Sequence, residues 1–261
     1  MELMLFTNDV TLAKAAYRAK IDRLVIDLER KNKSTRQQGY HLEINDHKIE
    51  DIKKIKTAVP IKVMCRLNAF NSGTKNEIEE VLNAGADILM LPMFKTPLEV
   101  SQFYEIVSKR ANTSLLFETK EAISCINHFK DFDVNEIYVG LNDLGIAYKV
   151  KFPYELISKG IVDYVREQFP NHDFGFGGIT VLDKGFPLPT KDIIKELARL
   201  RANQVIIRRA FKRDIVKKNM KKEVKRIKNF YKESESLTEE FIKNEHLNVI
   251  EKIKNIYTEN N

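Results

Sequence analysis

What this 261-residue chain has little of narrows its class first. It holds only two cysteines, Cys65 and Cys125, both inside apolar stretches that read as structural elements. That placement suits reduced core residues rather than a disulfide. No apolar run approaches the roughly 18–20 residues a bilayer-spanning helix needs. The N-terminus, Met-Glu-Leu-Met-Leu-Phe-Thr-Asn-Asp, is acidic and lacks a signal peptide's layout. A cytoplasmic protein without a membrane span is the expectation. Internal repeats are absent, and no two strand-like runs are joined by an obvious tight hairpin.

Acidic residues are scarce in one segment. Residues 208–232 carry twelve Lys and Arg against only Asp214 and Glu223. That local balance of +10, within a chain of +7, leaves about −3 for the rest, an ordinary value for a cytosolic enzyme. Aromatics near this segment are limited to Phe211, Phe230 and Tyr231. They are too few and too clustered for a base-stacking platform, so nucleic-acid binding is not expected. A solvated helical face packed against an acidic neighbouring subunit fits better.

What is present is an alternation of short apolar runs and amphipathic stretches. Strands are expected at Leu3–Phe6, Arg23–Glu29, Ile61–Leu67, Asp87–Pro92, Ser114–Phe117, Glu136–Val139, Asp173–Phe176 and Gln204–Ile207. A first helix follows Asn8 or Asp9, and others are expected over about 48–57, 75–84, 97–109, 120–129, 155–169 and 190–201. Lys31 to Gly39 reads as a long loop. Eight strands alternating with helices close most economically as a (β/α)8 TIM barrel with a C-terminal helical extension. The expected boundaries are 1–211 for the barrel and 212–261 for the extension. The extension holds a basic helix over 212–232, a break at Ser234-Glu235-Ser236, and a last helix over about 237–257. Phe241, Leu247, Ile250, Ile253 and Tyr257 form an apolar stripe on that last helix, expected to hold a homo-oligomer together.

The chemistry is expected around residues 113–143. Glu118 directly follows one strand, and the next is followed by Gly140-Leu141-Asn142-Asp143. A crossover helix between parallel strands leaves both carboxylates on the face where α/β folds bind ligands. Two carboxylates there suit a hard divalent cation. The alternative is that Glu118 caps the next helix and Asp143 sits in a solvated turn.

Five short pieces in order extend this reading. Ile26-Asp27-Leu28-Glu29, Cys65-Arg66-Leu67-Asn68, Leu91-Pro92-Met93, Phe117-Glu118-Thr119 and Gly140-Leu141-Asn142-Asp143-Leu144 each fall at an expected strand end. Together they resemble the HpcH/HpaI aldolase and citrate lyase β-subunit family, within the phosphoenolpyruvate/pyruvate superfamily. The resemblance implies that Glu118 and Asp143 are the protein ligands of one Mg²⁺ or Mn²⁺. It implies that Arg66 holds the negative oxygen of a 2-oxo acid or acyl substrate, with Asp27 and Glu29 positioning Arg66 or metal-bound water. Gly177-Gly178 would let backbone N–H groups approach a carboxylate or phosphate.

The sequence departs from the family at one role. Where aldolases of this family carry a His after the second-strand acid, this chain has Arg30-Lys31, and citrate-lyase-like members have an Asp where Arg30 stands. His47, with His41, is the nearest replacement as a base. Asp-Leu-Glu followed by Lys33, Arg36 and Gln37 is similar to a subgroup among bacterial surface-polysaccharide enzymes, which implies a sugar-acid or phosphorylated substrate. The expected function is a metal-dependent carbon–carbon lyase acting through a pyruvate-type enolate. The alternatives are an acyl-CoA lyase of the citrate lyase β type, or a non-catalytic barrel whose basic tail serves assembly or nucleic-acid binding.

Overall fold

The computed structural model describes residues 1–30 and 46–259. Its eight strands are β1 (Glu2–Phe6), β2 (Arg23–Asp27), β3 (Lys62–Arg66), β4 (Ile88–Leu91), β5 (Asn112–Phe117), β6 (Glu136–Val139), β7 (Asp173–Phe176) and β8 (Gln204–Ile207). All neighbours pair in parallel, and β8 returns to β1, closing the expected (β/α)8 barrel. The expected loop at 31–39, together with His41, lies outside the described residues.

Alternation along each strand divides the core in two. Met4, Val25, Met64, Met90, Leu116 and Tyr138 point inward and fill the barrel. Their neighbours, such as Leu5, Ile26, Cys65, Leu89, Leu115 and Ile137, point outward into the layer beneath the helices. Strands covered on both faces read as continuous apolar runs, which is why Ile88–Leu91 was so legible. The barrel's N-terminal end is closed by charge. Arg23 Nη1 donates to both oxygens of Glu136 at 2.7 Å, and the same guanidinium bonds Glu2.

The helices are α1 (Val10–Arg18), α2 (Ile49–Ala58), α3 (Thr74–Asn83), α4 (Pro97–Val107), α5 (Lys120–Ser124), α6 (Leu141–Tyr148), α7 (Glu155–Ser158), α8 (Ile161–Gln168), α9 (Thr190–Arg199), α10 (Ala210–Asp214), α11 (Met220–Glu235) and α12 (Glu239–Glu259). Local chemistry sets several starts. Asp9 accepts the Leu12 N–H at 2.8 Å, and Thr96 with Glu99 forms a capping box ahead of Pro97.

Three expected helices change. The stretch 120–129 breaks at Cys125 into α5 and a 3₁₀ turn, Ile126–Phe129. That turn seats Phe129 edge-on to Phe94 and Phe117, so aromatic packing overrides helical continuity. The stretch 155–169 splits into α7 and α8 at Gly160, whose φ of 69° is left-handed. The basic helix is shorter than expected and does not stand apart. α11 packs against α9 and α1, the place of the barrel's eighth helix, burying Val224, Ile227 and Tyr231. Two of its cations find acids of their own barrel, Lys228 on Asp22 and Arg226 on Asp183.

α12 lies over α9 and α7. Val249 and Ile253 are buried there, and Lys252 pairs with Asp192 at 2.7 Å. Of the expected stripe, Ile253 faces this core, Ile250 is half-buried, and Phe241 and Leu247 are exposed. Nothing is described of the Tyr257 side chain. Residues 241 and 247 fall about 120° apart at 100° per residue, so they cannot share one narrow face. Among the described residues no helix is long and apolar enough to cross a membrane.

Candidate active site

The inward register that fills the barrel continues past the strands' C-terminal ends. There it presents Phe6, Asp27, Arg66, Glu118, Gly140 and Arg208 around one mouth. A cavity of about 660 Å³ opens at this mouth, bordered by Arg66, Glu118, Asp143, Gly177, Gly178 and Arg208. Volumes of roughly 300–1,000 Å³ are usual for small-molecule sites.

Arg66 is held by two acids. Its Nε donates to Asp27 Oδ1 at 2.8 Å, and its Nη2 donates to Asp27 Oδ2 at 2.7 Å. Nη1 lies 3.5 Å from Glu29 Oε2, and the Phe6 ring sits 5.2 Å from the guanidinium carbon. Burial disfavours the charge, but Asp27 and Glu29 outweigh it and raise the pKa above the ordinary arginine value. A guanidinium has five N–H donors. These contacts leave one N–H on each terminal nitrogen for a ligand. Asp27 and Glu29 do not border the cavity themselves; they fix the side chain that does.

Glu118 is the first residue past β5. The register pairs Phe117 with Val139, which sets Glu118 beside Gly140. Met93 N–H donates to its Oε1 at 3.1 Å. A Cβ on Gly140 would lie 2.7 Å from Glu118 Oε2, so glycine is what lets the carboxylate sit there. Asp143 follows on the first turn of α6 and is buried, so the alternative of a solvated turn does not hold. It borders the same cavity, so the fold sets both expected carboxylates on one cavity.

His47 does not border the cavity. It is buried behind the end of β2, where its Nδ1 accepts the Asp27 N–H at 3.0 Å. The ring proton therefore belongs on Nε2. Burial lowers the His47 pKa against the pull of Asp27 and Asp51, which favours the neutral ring. It steadies the strand end that carries Asp27, and its position does not support the expected role as base. The glycine pair is also divided in role. Gly177 N–H donates to Val139 O at 3.3 Å, within the barrel ladder, which leaves the Gly178 N–H for a ligand.

Arg208 was missed from sequence. It follows β8 directly, as Arg66 ends β3, but the run of twelve cations masked it. Its Nη1 donates to Tyr154 Oη at 3.1 Å and to Phe186 O at 3.2 Å. Burial raises the Tyr154 pKa, so the hydroxyl stays protonated beside this cation.

The model of the HpcH/HpaI aldolase/citrate lyase family matches residues 2–145, more than half of the chain. The chain belongs to this family. The matched span runs from β1 into α6 and contains Arg66, Glu118 and Asp143. Among solved structures, citrate synthase SbnG is similar at a TM-score of 0.61 and 17% identity, over 83% of this chain and 90% of that one. A tryptophan synthase from M. tuberculosis, in an open form, is similar at 0.57 and 12% identity, over 88% and 92%. At these identities the likeness is one of fold. No curated protein matches the sequence significantly.

Membership in the HpcH/HpaI family supports an aldolase or lyase, and members are commonly dependent on a divalent metal. The donor set here fits such an ion. Glu118, just past β5, and Asp143, on the first turn of the helix after β6, offer oxygen ligands, the chemistry Mg²⁺ and Mn²⁺ prefer. Among the described residues no third His, Cys, Asp or Glu joins them. Mg²⁺ is commonly held by one or two carboxylates, with water and substrate completing the shell.

Proposed function

We propose that this HpcH/HpaI-family protein is a divalent-metal-dependent aldolase. It makes or breaks a carbon–carbon bond beside the carbonyl of a 2-oxo acid or sugar acid, through a pyruvate-type enolate. The observation that carries the reading is that Arg66, Glu118 and Asp143, from three separate stretches of chain, border one cavity at the barrel's C-terminal mouth. Catalytic residues of this fold come from the ends of several strands at that face.

Glu118 and Asp143 hold the Mg²⁺ or Mn²⁺, which when bound acts as a Lewis acid on the substrate carbonyl. Arg66 turns its remaining N–H donors to the oxygen on which negative charge develops. Because Asp27 grips that guanidinium at two points, it is oriented before the substrate arrives. The Gly178 N–H adds a neutral donor for an anionic group of the substrate. Phe6, Leu116 and Leu141 line the cavity with apolar surface, which strengthens each of these contacts by excluding water.

The direct test is exchange of the pyruvate methyl protons in D₂O, followed by proton NMR on the metal-loaded protein. Methyl signal should decay with Mn²⁺ or Mg²⁺ and persist after chelation. Persistence with metal bound would refute the enolate chemistry.

A further inference from the structure

The two arginines at the cavity mouth are used differently. Arg66 has its charge met by two buried carboxylates. The partners of Arg208 are both neutral, a tyrosine hydroxyl and a backbone carbonyl, and both fall on one nitrogen, Nη1. Among the described residues no acid pairs with it and no group bonds its Nε or Nη2. That Nε–Nη2 edge is the one that grips an oxyanion at two points. Arg208 is half-buried, so its charge is partly stripped of water with no counter-ion in the described chain.

We propose that Arg208 forms an anion subsite for a phosphate or carboxylate carried by the part of the substrate remote from the reacting carbon. The local build is specific. A Cβ on Gly178 would lie 2.7 Å from Arg208 Cγ, so this glycine makes room for the arginine stem, as Gly140 does for Glu118. Tyr154, itself buried, braces the tip. Lys151, Arg209 and Lys212 border the same cavity, so its lining carries cations beyond Arg66 and Arg208.

Geometry separates the two functions. Arg208 follows β8, three strands round the ring from Arg66 at the end of β3 and three from β5, which leads into Glu118. With strands about 4.8 Å apart, the backbones at such positions lie roughly 12 Å apart across the barrel, with the side chains reaching inward between them. Arg208 thus enters the cavity from the wall opposite Glu118, where it can meet a group of the substrate other than the one at the metal. The substrate class rests on the aldolase reading above, whereas the anion site itself is tested without it.

The experiment titrates glycerol 3-phosphate and glutarate into the full chain, with oxalate plus Mn²⁺ as a separate probe of the metal side. Wild type should bind one of the two, the phosphate or the dicarboxylate deciding the source of the anion. Arg208→Gln should weaken that binding at least about tenfold, the usual weight of a charged hydrogen-bond pair, with Arg208→Lys between the two. Oxalate binding should change little. Gly178→Ala keeps the charge but displaces the stem, and it should weaken the same probe if Arg208→Gln fails to fold. Wild type that binds neither probe, or an Arg208→Gln variant that binds as tightly, overturns the subsite. Loss of oxalate binding in wild type would count against the metal reading instead.

Discussion

The two ends of this barrel solve the same electrostatic problem in opposite ways. At the N-terminal end Arg23 is buried against Glu136 and Glu2, two acids of the strands beside and across from it. At the C-terminal end Arg66 is held as firmly by Asp27, yet keeps donors that open on a cavity. Arg208, at the same end, meets no acid among the described residues. One end spends its charges on itself, and the other keeps part of them for a ligand. Residues at the bottom of such a barrel are therefore expected to govern stability, and those at the top chemistry.

The sharpest way to break this contrast is at Arg23. Arg23→Gln leaves Glu136 buried without its cation, a change that typically costs about 3–5 kcal/mol. A large fall in the urea midpoint is expected, with Mn²⁺ affinity of the folded protein unchanged. A drop in metal affinity as large as the drop in stability would erase the distinction between the ends. Arg66→Lys should do the reverse. Lysine still pairs with Asp27 but cannot reproduce the planar fork. Pyruvate methyl exchange should fall by roughly 10²–10³ while stability changes less. Equal exchange in the two proteins would make Arg66 a structural strut.

His47 supplies a smaller effect with a definite sign. Burial lowers its pKa in the fold, so below about pH 6.5 the unfolded chain takes up its proton first. The stability from the neutral ring is full above that pH and is lost as pH falls towards the folded pKa. Urea midpoints at pH 7.5 and 5.5 should differ more in wild type than in His47→Asn. The same difference in both proteins would remove His47 from the account.

The top of the barrel was the harder end to read from sequence. Strands were legible because burial on both faces makes them apolar without interruption, and Glu118 was legible because it ends such a run. α6 was not. Gly140-Leu-Asn-Asp followed by Gly145 has the composition of a turn, and only the burial of Leu141 and Leu144 against the barrel draws it into a helix. His47 showed the limit of reading a residue by type. A histidine behind a strand end and one in front of it have the same sequence signature, and tertiary placement alone separates them. Arg208 was hidden by its neighbours, since one cation among twelve carries no mark of pointing inward. The basic helix was legible in its charge but not in its contacts: Lys228 and Arg226 meet Asp22 and Asp183, acids distant in sequence.

The claim on which the rest depends is that Glu118 and Asp143 share one divalent cation at the top of the barrel. Mn²⁺ titration followed by electron paramagnetic resonance tests it most directly, on wild type, Glu118→Gln and Asp143→Asn of verified fold. One Mn²⁺ per chain is expected in wild type, with affinity reduced by about 100-fold or more in each variant, since each removes one of two protein ligands. Unchanged stoichiometry and affinity in either variant would contradict the account.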